Sequence, residues 1–137
     1  MDLEVIKREL IRLLRNIDNE QWNSTELIIE FPPFLNKGFN TMPSFWDMGG
    51  NRLRIFLKYD DDFNKTFYSF VRDINSEGKY NQINFSAKKD DYDNADIKVF
   101  FNEVLDSTFQ SKIPKSKRGK TIPWWNNPEE LKGLIAK

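Results

Sequence analysis

The sequence contains no cysteine and no histidine. Without cysteine, the chain cannot form disulfides, thiolate metal sites or a cysteine nucleophile. Without histidine, it lacks the Ser–His and Cys–His catalytic pairs, ordinary zinc sites and a histidine pH switch. No apolar run is longer than three residues, and the start Met-Asp-Leu-Glu-Val has neither the basic nor the apolar region of a secretory signal. We therefore expect a cytoplasmic protein that does not enter a membrane.

The chain also lacks a net charge, because 21 basic side chains balance 21 acidic ones. A uniform attraction to nucleic acid is therefore not expected. The charges are nevertheless segregated along the sequence. Acids cluster at Asp60–Asp62 and again between Asp90 and Asp106, whereas the stretch from Lys112 to Lys120 carries bases and no acid.

Aromatic residues are abundant, with 12 Phe, 4 Trp and 4 Tyr among 137 residues. Such rings belong to cores and interfaces, and disordered chains contain few of them. A chain of this length buries enough surface for one core. We expect a single globular domain over residues 1–137.

Hydrophobic periodicity predicts both helices and strands. Helical spacing gives expected helices at 2–17, 63–74, 103–110 and 128–136. Alternation gives expected strands at 27–31, 53–59, 83–87 and 97–101, with a short further strand starting at Phe45-Trp46. Gly49-Gly50-Asn51 is typical of a hairpin turn, and Asp90–Asn94 is expected to form a polar loop of moderate length between the last two strands. This order predicts an α+β domain with one antiparallel sheet of four to five strands and helices packed on one face.

Clustered carboxylates invite a search for a cation site, but the spacing argues against one. An EF-hand loop starting at Asp91 would need an oxygen ligand, Gly and Glu where the sequence has Ala95, Asp96 and Asn102. Gly49-Gly50 is not followed by the Lys-Ser or Lys-Thr of a phosphate-binding loop. The sequence predicts no metal site and no cofactor.

The segment at residues 112–125 combines bases with adjacent tryptophans and is expected to form an appendage to the domain. Basic side chains bind phosphates and Trp rings stack on bases, so the segment could bind single-stranded nucleic acid. Its candidate contact residues are Lys115, Lys117, Arg118, Lys120, Trp124 and Trp125. The alternative is a charged loop whose Trp pair packs on the core and anchors the final helix.

The acidic clusters also allow two interpretations. A concentrated negative surface can imitate nucleic acid and occupy a basic site on a protein partner, and complementary charge speeds association. Alternatively, the first cluster caps a helix and the second forms a polar turn. The candidate partner-binding residues are Asp60, Asp61, Asp62, Asp90, Asp91, Tyr92 and Asp93.

The order of elements resembles the YezG-like family of bacterial immunity proteins, which are antitoxins that neutralise nuclease toxins. The similar parts are the first helix with Trp22 soon after it, the expected strand Leu53–Tyr59, the Phe-rich helix Phe63–Ile74, and Tyr80–Phe85 followed by an acidic turn and a further strand. The resemblance covers about residues 1–105. Residues 32–44 and 115–125 have no counterpart in it. It implies a small binding protein whose partner is a toxin domain.

The leading hypothesis is therefore a non-catalytic immunity protein that blocks its toxin by stoichiometric binding. The alternative is a nucleic-acid-binding accessory protein that uses the basic segment. A third option is a hydrolase that relies on carboxylates alone, and its test is magnesium-dependent turnover of nucleic acid. The oligomeric state does not follow from the sequence.

Overall fold

A computed structural model describes residues 2–31, 39–74 and 79–112. The described part contains one five-stranded antiparallel sheet and three helices. The elements in chain order are α1 (Leu3–Arg15), β1 (Ser24–Glu30), β2 (Asn40–Trp46), β3 (Arg52–Leu53), α2 (Asp61–Ile74), β4 (Gln82–Lys88), β5 (Asp91–Phe100) and α3 (Glu103–Lys112). The α+β fold class predicted from the sequence is confirmed.

The sheet has the strand order β3-β2-β1-β4-β5. The central strand β1 pairs along its whole length with β2 on one side and with β4 on the other. Side chains alternate between the two faces, so the core face carries Thr25, Leu27 and Ile29 from β1, with Ile83 and Phe85 opposite them on β4. The opposite face, here called the outer face, carries polar residues such as Glu26, Ser86 and Asp96 together with Ile28 and Met42.

Helices α1 and α2 cover the core face. Helix α1 buries Ile6, Leu10, Leu13 and Leu14, whose spacing places them on one side of a helix. It packs against both α2 and β5. Helix α2 places Phe67 among several rings, including those of Phe31 and Phe39 at centroid distances of 5.6 and 4.7 Å. The sheet and the two helices thus share one aromatic-rich core.

Hydrogen bonds of amide side chains connect α3 to the end of the sheet. The fully buried Asn81 side chain donates to the Asn102 carbonyl at 2.9 Å and accepts from the Asn102 N–H at 2.6 Å. Asn102 also donates to Gln82 at 2.7 Å and accepts from the N–H of Leu105 at 3.0 Å. Asn102 is therefore the N-cap of α3, and the buried amides of this region are satisfied.

The expected strand at 53–59 is wrong beyond its first residue. Only Arg52–Leu53 pairs with β2. The alternation that suggested a strand does occur in the structure, because Leu57 is buried while Phe56 is 85% exposed. Residues 54–57 nevertheless diverge from β2 and border a shallow depression of about 710 Å³ beside it. The hydrogen-bonded pairing of β2 with β3 stops before it would reach Pro43, whose nitrogen has no hydrogen to donate.

Two further expectations need correction. Phe45 and Trp46 end the strand β2 rather than start one, and residues 40–44, for which the sequence predicted no element, form the rest of it. The loop between the last two strands is not of moderate length. Its turn consists of Lys89 and Asp90, and β5 already begins at Asp91. The expected helix at 128–136 and the appendage lie outside the described residues, except for Lys112, which ends α3.

Candidate partner-binding surface

Asp60 is held by contacts within the chain. Arg12 of α1 forms a two-pronged ion pair with its carboxylate, with nitrogen–oxygen distances of 2.7 and 2.8 Å. The same carboxylate accepts the N–H of Phe63 at 2.9 Å and so caps α2. These bonds, first from Arg12 and then from Phe63, lower the pKa of Asp60 to about 2. Asp60 therefore links two helices, and its charge is matched inside the molecule.

The cation that matches Asp60 is itself shared. Arg12 also donates to both carboxylate oxygens of Glu9, at 3.0 and 3.1 Å. The two carboxylates, with Asp60 contributing most, hold the pKa of Arg12 well above its usual range. Asp61 and Asp62, by contrast, are exposed in the first turn of α2, where a negative charge suits the helix dipole.

The second acidic cluster surrounds the turn between β4 and β5. Asp90 adopts a left-handed conformation with φ near 60°, which Asp tolerates better than most residues. Asp90, Asp91 and Asp93 are all exposed. Asp91 accepts a hydrogen bond from the Asn94 amide at 2.8 Å. The tight turn therefore presents the carboxylates at one end of the hairpin.

Tyr92 is only partly available to a partner. Its ring packs against the core cluster, and the guanidinium carbon of Arg15 lies 5.1 Å from the ring centroid. Burial raises the pKa of its hydroxyl above the ordinary value. Tyr92 anchors the start of β5 on α1 rather than projecting as a free aromatic side chain.

The structure brings the two acidic segments to the same helix. Asp60 reaches Arg12 from the start of α2, and Tyr92 reaches Arg15 from the start of β5. Arg12 and Arg15 are neighbours on α1 and, with Arg8, line a shallow groove beside Tyr92 and Asp93. The acidic clusters are therefore separated by a basic strip of α1, and they do not form one continuous patch.

Beside Asp90 of the second cluster lie three residues that the sequence did not indicate, Glu20, Asp47 and Met48. Glu20, Asp47, Met48 and Asp90 border one depression of about 630 Å³, and these four are here called the turn surface. Met48 is 89% exposed at the tip of the β2–β3 turn. The antiparallel pairing carries this turn, the β4–β5 turn and the loop after α1 to the same end of the sheet. The Gly-Gly hairpin signal indicated the turn, but not its neighbours.

Asp47 is fixed by its own turn. Its carboxylate accepts the N–H groups of Gly49 and Asn51, both at 2.9 Å, and the Asn51 amide at 3.2 Å. These bonds, led by the one from the Asn51 backbone, lower the pKa of Asp47 below its ordinary value. Among the described residues, Lys89 is the one cation that borders the depression. Its ammonium group donates to the Glu20 carbonyl at 3.2 Å and lies near the Trp22 ring. The turn surface thus has a fixed, ionised carboxylate beside an exposed thioether.

The residues of the nucleic-acid alternative, Lys115, Lys117, Arg118, Lys120, Trp124 and Trp125, all lie outside the described residues. Within the described ranges, no group of three or more acidic side chains is arranged to hold a metal ion. None of the helices described there has the length and apolar character needed to cross a bilayer.

The described part also has a groove of about 820 Å³ between the start of α1 and residues 65–74 of α2. Its walls mix apolar side chains such as Val5 and Phe70 with the charged side chains of Lys65 and Asp73. This combination favours no particular ligand chemistry.

No family model matches the chain, and no curated protein matches it. The resemblance to the YezG-like immunity proteins therefore stays a hypothesis from the order of elements.

Proposed function

We propose that the protein is an immunity protein that binds a bacterial nuclease toxin and neutralises it stoichiometrically. The observation that carries the proposal is the acidic end of the sheet. There Asp91 directly follows Asp90 of the turn surface, and Asp93 lies further along β5, beside the groove on α1. The exposed Met48 lies among the carboxylates of the turn surface. The chemistry that such a surface recognises is a basic site with an apolar contact beside it.

The ion pairing of the carboxylates supports this choice of surface. Among the described residues, Asp61, Asp62, Asp90, Asp91 and Asp93 form no ion pair, whereas Asp60 does. Unmatched carboxylates leave a negative potential at the surface, and a nuclease must hold a positive potential where it binds phosphates. Of the seven residues predicted as contacts, we assign Asp90, Asp91 and Asp93 to the interface and give Asp60 a structural role.

Charge reversal tests the assignment. Asp93→Lys changes an exposed side chain in β5 that makes no ion pair within the described residues. We expect the association rate with the toxin to fall by about tenfold at low salt, because electrostatic steering is lost, and the difference to shrink as salt is raised. Stopped-flow or surface plasmon resonance measurements on the purified pair would give the rate.

Asp73→Lys is the matched control, because Asp73 is an exposed acid in the last turn of α2. It makes the same charge change away from the turn surface. We expect its association rate to stay within about twofold of the wild-type rate. Equal effects of the two substitutions would show that only net charge matters and would overturn the assigned interface.

A further inference from the structure

The outer edge of β5 is open within the described part of the chain. The strand order places β5 at one end of the sheet, and only β4 pairs with it. β5 has ten residues, whereas the opposite edge strand β3 has two. A long edge strand presents unpaired N–H and C=O groups that another strand can pair with. This edge is therefore a surface for strand addition.

The regular part of this edge has apolar residues on one face and charges on the other. Ile97 and Val99 belong to the core face but are only half-buried, since no strand lies beyond them in the described residues. Asp96 and Lys98 stand on the outer face, with their charged groups 3.7 Å apart and their side chains 62% and 72% exposed. The sequence Asp-Ile-Lys thus offers an acid, an apolar residue and a base in succession.

We propose that two copies of the chain pair antiparallel through the outer edges of β5, with Ile97 opposite the partner's Ile97. This register places Asp96 opposite the partner's Lys98. By the two-fold symmetry, Lys98 also lies opposite the partner's Asp96. Directly opposed residues in antiparallel strands lie on the same face, so each pair of charges meets on the outer face while the isoleucines meet on the core face. The surface is complementary to itself.

The neighbouring registers are unfavourable. A two-fold axis through Asp96 would oppose two aspartates, and an axis through Lys98 would oppose two lysines. Like charges directly opposite each other destabilise a strand pair. Among these three adjacent registers, charge therefore favours the one centred on Ile97.

The paired stretch is short. The alignment of β5 with β4 shifts between Ser86 and Lys88, so the strand is irregular before Asp96. An irregular edge pairs poorly, and Val99 would face Ala95 in the irregular part, so regular pairing is confined to about Asp96–Lys98. Because this contact buries less than a standard protein interface, we expect a dissociation constant in the micromolar range or weaker. The inference concerns self-association and is independent of the proposed function.

A charge-swap experiment on the full chain tests the register. Sedimentation equilibrium over a wide concentration range should show the mass rising from 16.3 kDa towards twice that value. Asp96→Lys and Lys98→Asp should each weaken the dimer by at least about tenfold, because each places like charges opposite one another. An equimolar mixture of the two variants should form a heterodimer, and the double variant should recover the homodimer.

Glu26→Lys is the control, because Glu26 is an exposed residue of the outer face on the central strand β1. It should change the dissociation constant by no more than about twofold. A protein that stays monomeric at about millimolar concentration overturns the proposal. A dimer whose dissociation constant does not change with the charge swap also overturns the proposal. So does the finding that residues 113–137, or a strand of the toxin, pair with the outer edge of β5.

Discussion

Asp60 and Asp93 are both aspartates in acidic clusters, yet the structure gives them different tasks. Asp60 binds Arg12 and caps α2, whereas Asp93 is exposed without an ion pair in the described residues. The sequence left the two interpretations of the acidic clusters open. The helical role of Asp60 could be anticipated from its place before Phe63. The pairing with Arg12 could not, because the two residues are 48 positions apart and meet only once the helices pack.

Substitutions at Asp60 should separate its two contributions to stability. Asp60→Asn keeps a good N-cap but removes the charge, whereas Asp60→Ala removes both. We expect Asp60→Ala to lower the free energy of unfolding by about 1–2 kcal/mol at pH 7 and Asp60→Asn by less than about 1 kcal/mol, because a partly exposed ion pair contributes little. Urea unfolding monitored by Trp fluorescence would give both values.

The ion pair also predicts a pH dependence. Because the folded-state pKa of Asp60 is about 2 and lies below the unfolded value, its contribution is present above about pH 4 and is lost as the pH falls towards about 2. The difference in the free energy of unfolding between the wild type and Asp60→Asn should therefore become smaller over that pH range. A difference of constant size from pH 7 to about pH 2.5 would contradict the assigned pair.

At the scale of elements, the β2–β3 turn holds one end of the turn surface. The N–H of Gly50 donates to the Asp47 carbonyl at 3.1 Å, and Gly50 has φ near 80°. Residues with a side chain rarely adopt that conformation. The strain would come from the backbone alone, since a Cβ on Gly50 would meet no atom within 4 Å.

Gly50→Ala should therefore destabilise the protein by about 1 kcal/mol. Gly49→Ala is the matched control, because Gly49 does not have a positive φ. Its added Cβ would meet side-chain atoms only, the Asn51 amide nitrogen at 3.2 Å and the Asp47 carboxylate at 3.4 Å, and these need to move by only a few tenths of an ångström. Thermal unfolding of the two variants would show which substitution destabilises the protein more. A larger loss from Gly49→Ala would contradict the turn geometry.

Several elements could be predicted from local pattern. The apolar spacing of α1 and α2 and the alternation of β1 and β4 each follow from one face being buried, so the sequence carries the signal directly. The segment at 53–59 shows where the pattern fails. Leu53 and Leu57 do alternate with exposed residues, but alternation reports an extended chain with one buried side and does not report whether a neighbouring strand supplies hydrogen bonds.

At the scale of the whole molecule, the candidate surface is assembled from distant parts of the chain. Glu20 follows α1, Asp47 lies in the β2–β3 turn and Asp90 lies in the β4–β5 turn. Their proximity follows from the strand order, which puts β1 between β2 and β4. No local pattern specifies that order. The sequence could therefore indicate the acidic segment at Asp90–Asp93 but not its neighbours Glu20, Asp47 and Met48.

The measurement that tests the central claim most directly is a pull-down of the tagged full-length protein from cells of its source. It should be made at low and moderate salt, with nuclease treatment in parallel. The proposal predicts one stoichiometric protein partner that survives nuclease, whose toxic activity is abolished by one equivalent of the purified protein. Recovery of nucleic acid that is lost with nuclease or salt, or a partner that stays active in the complex, would contradict the proposal.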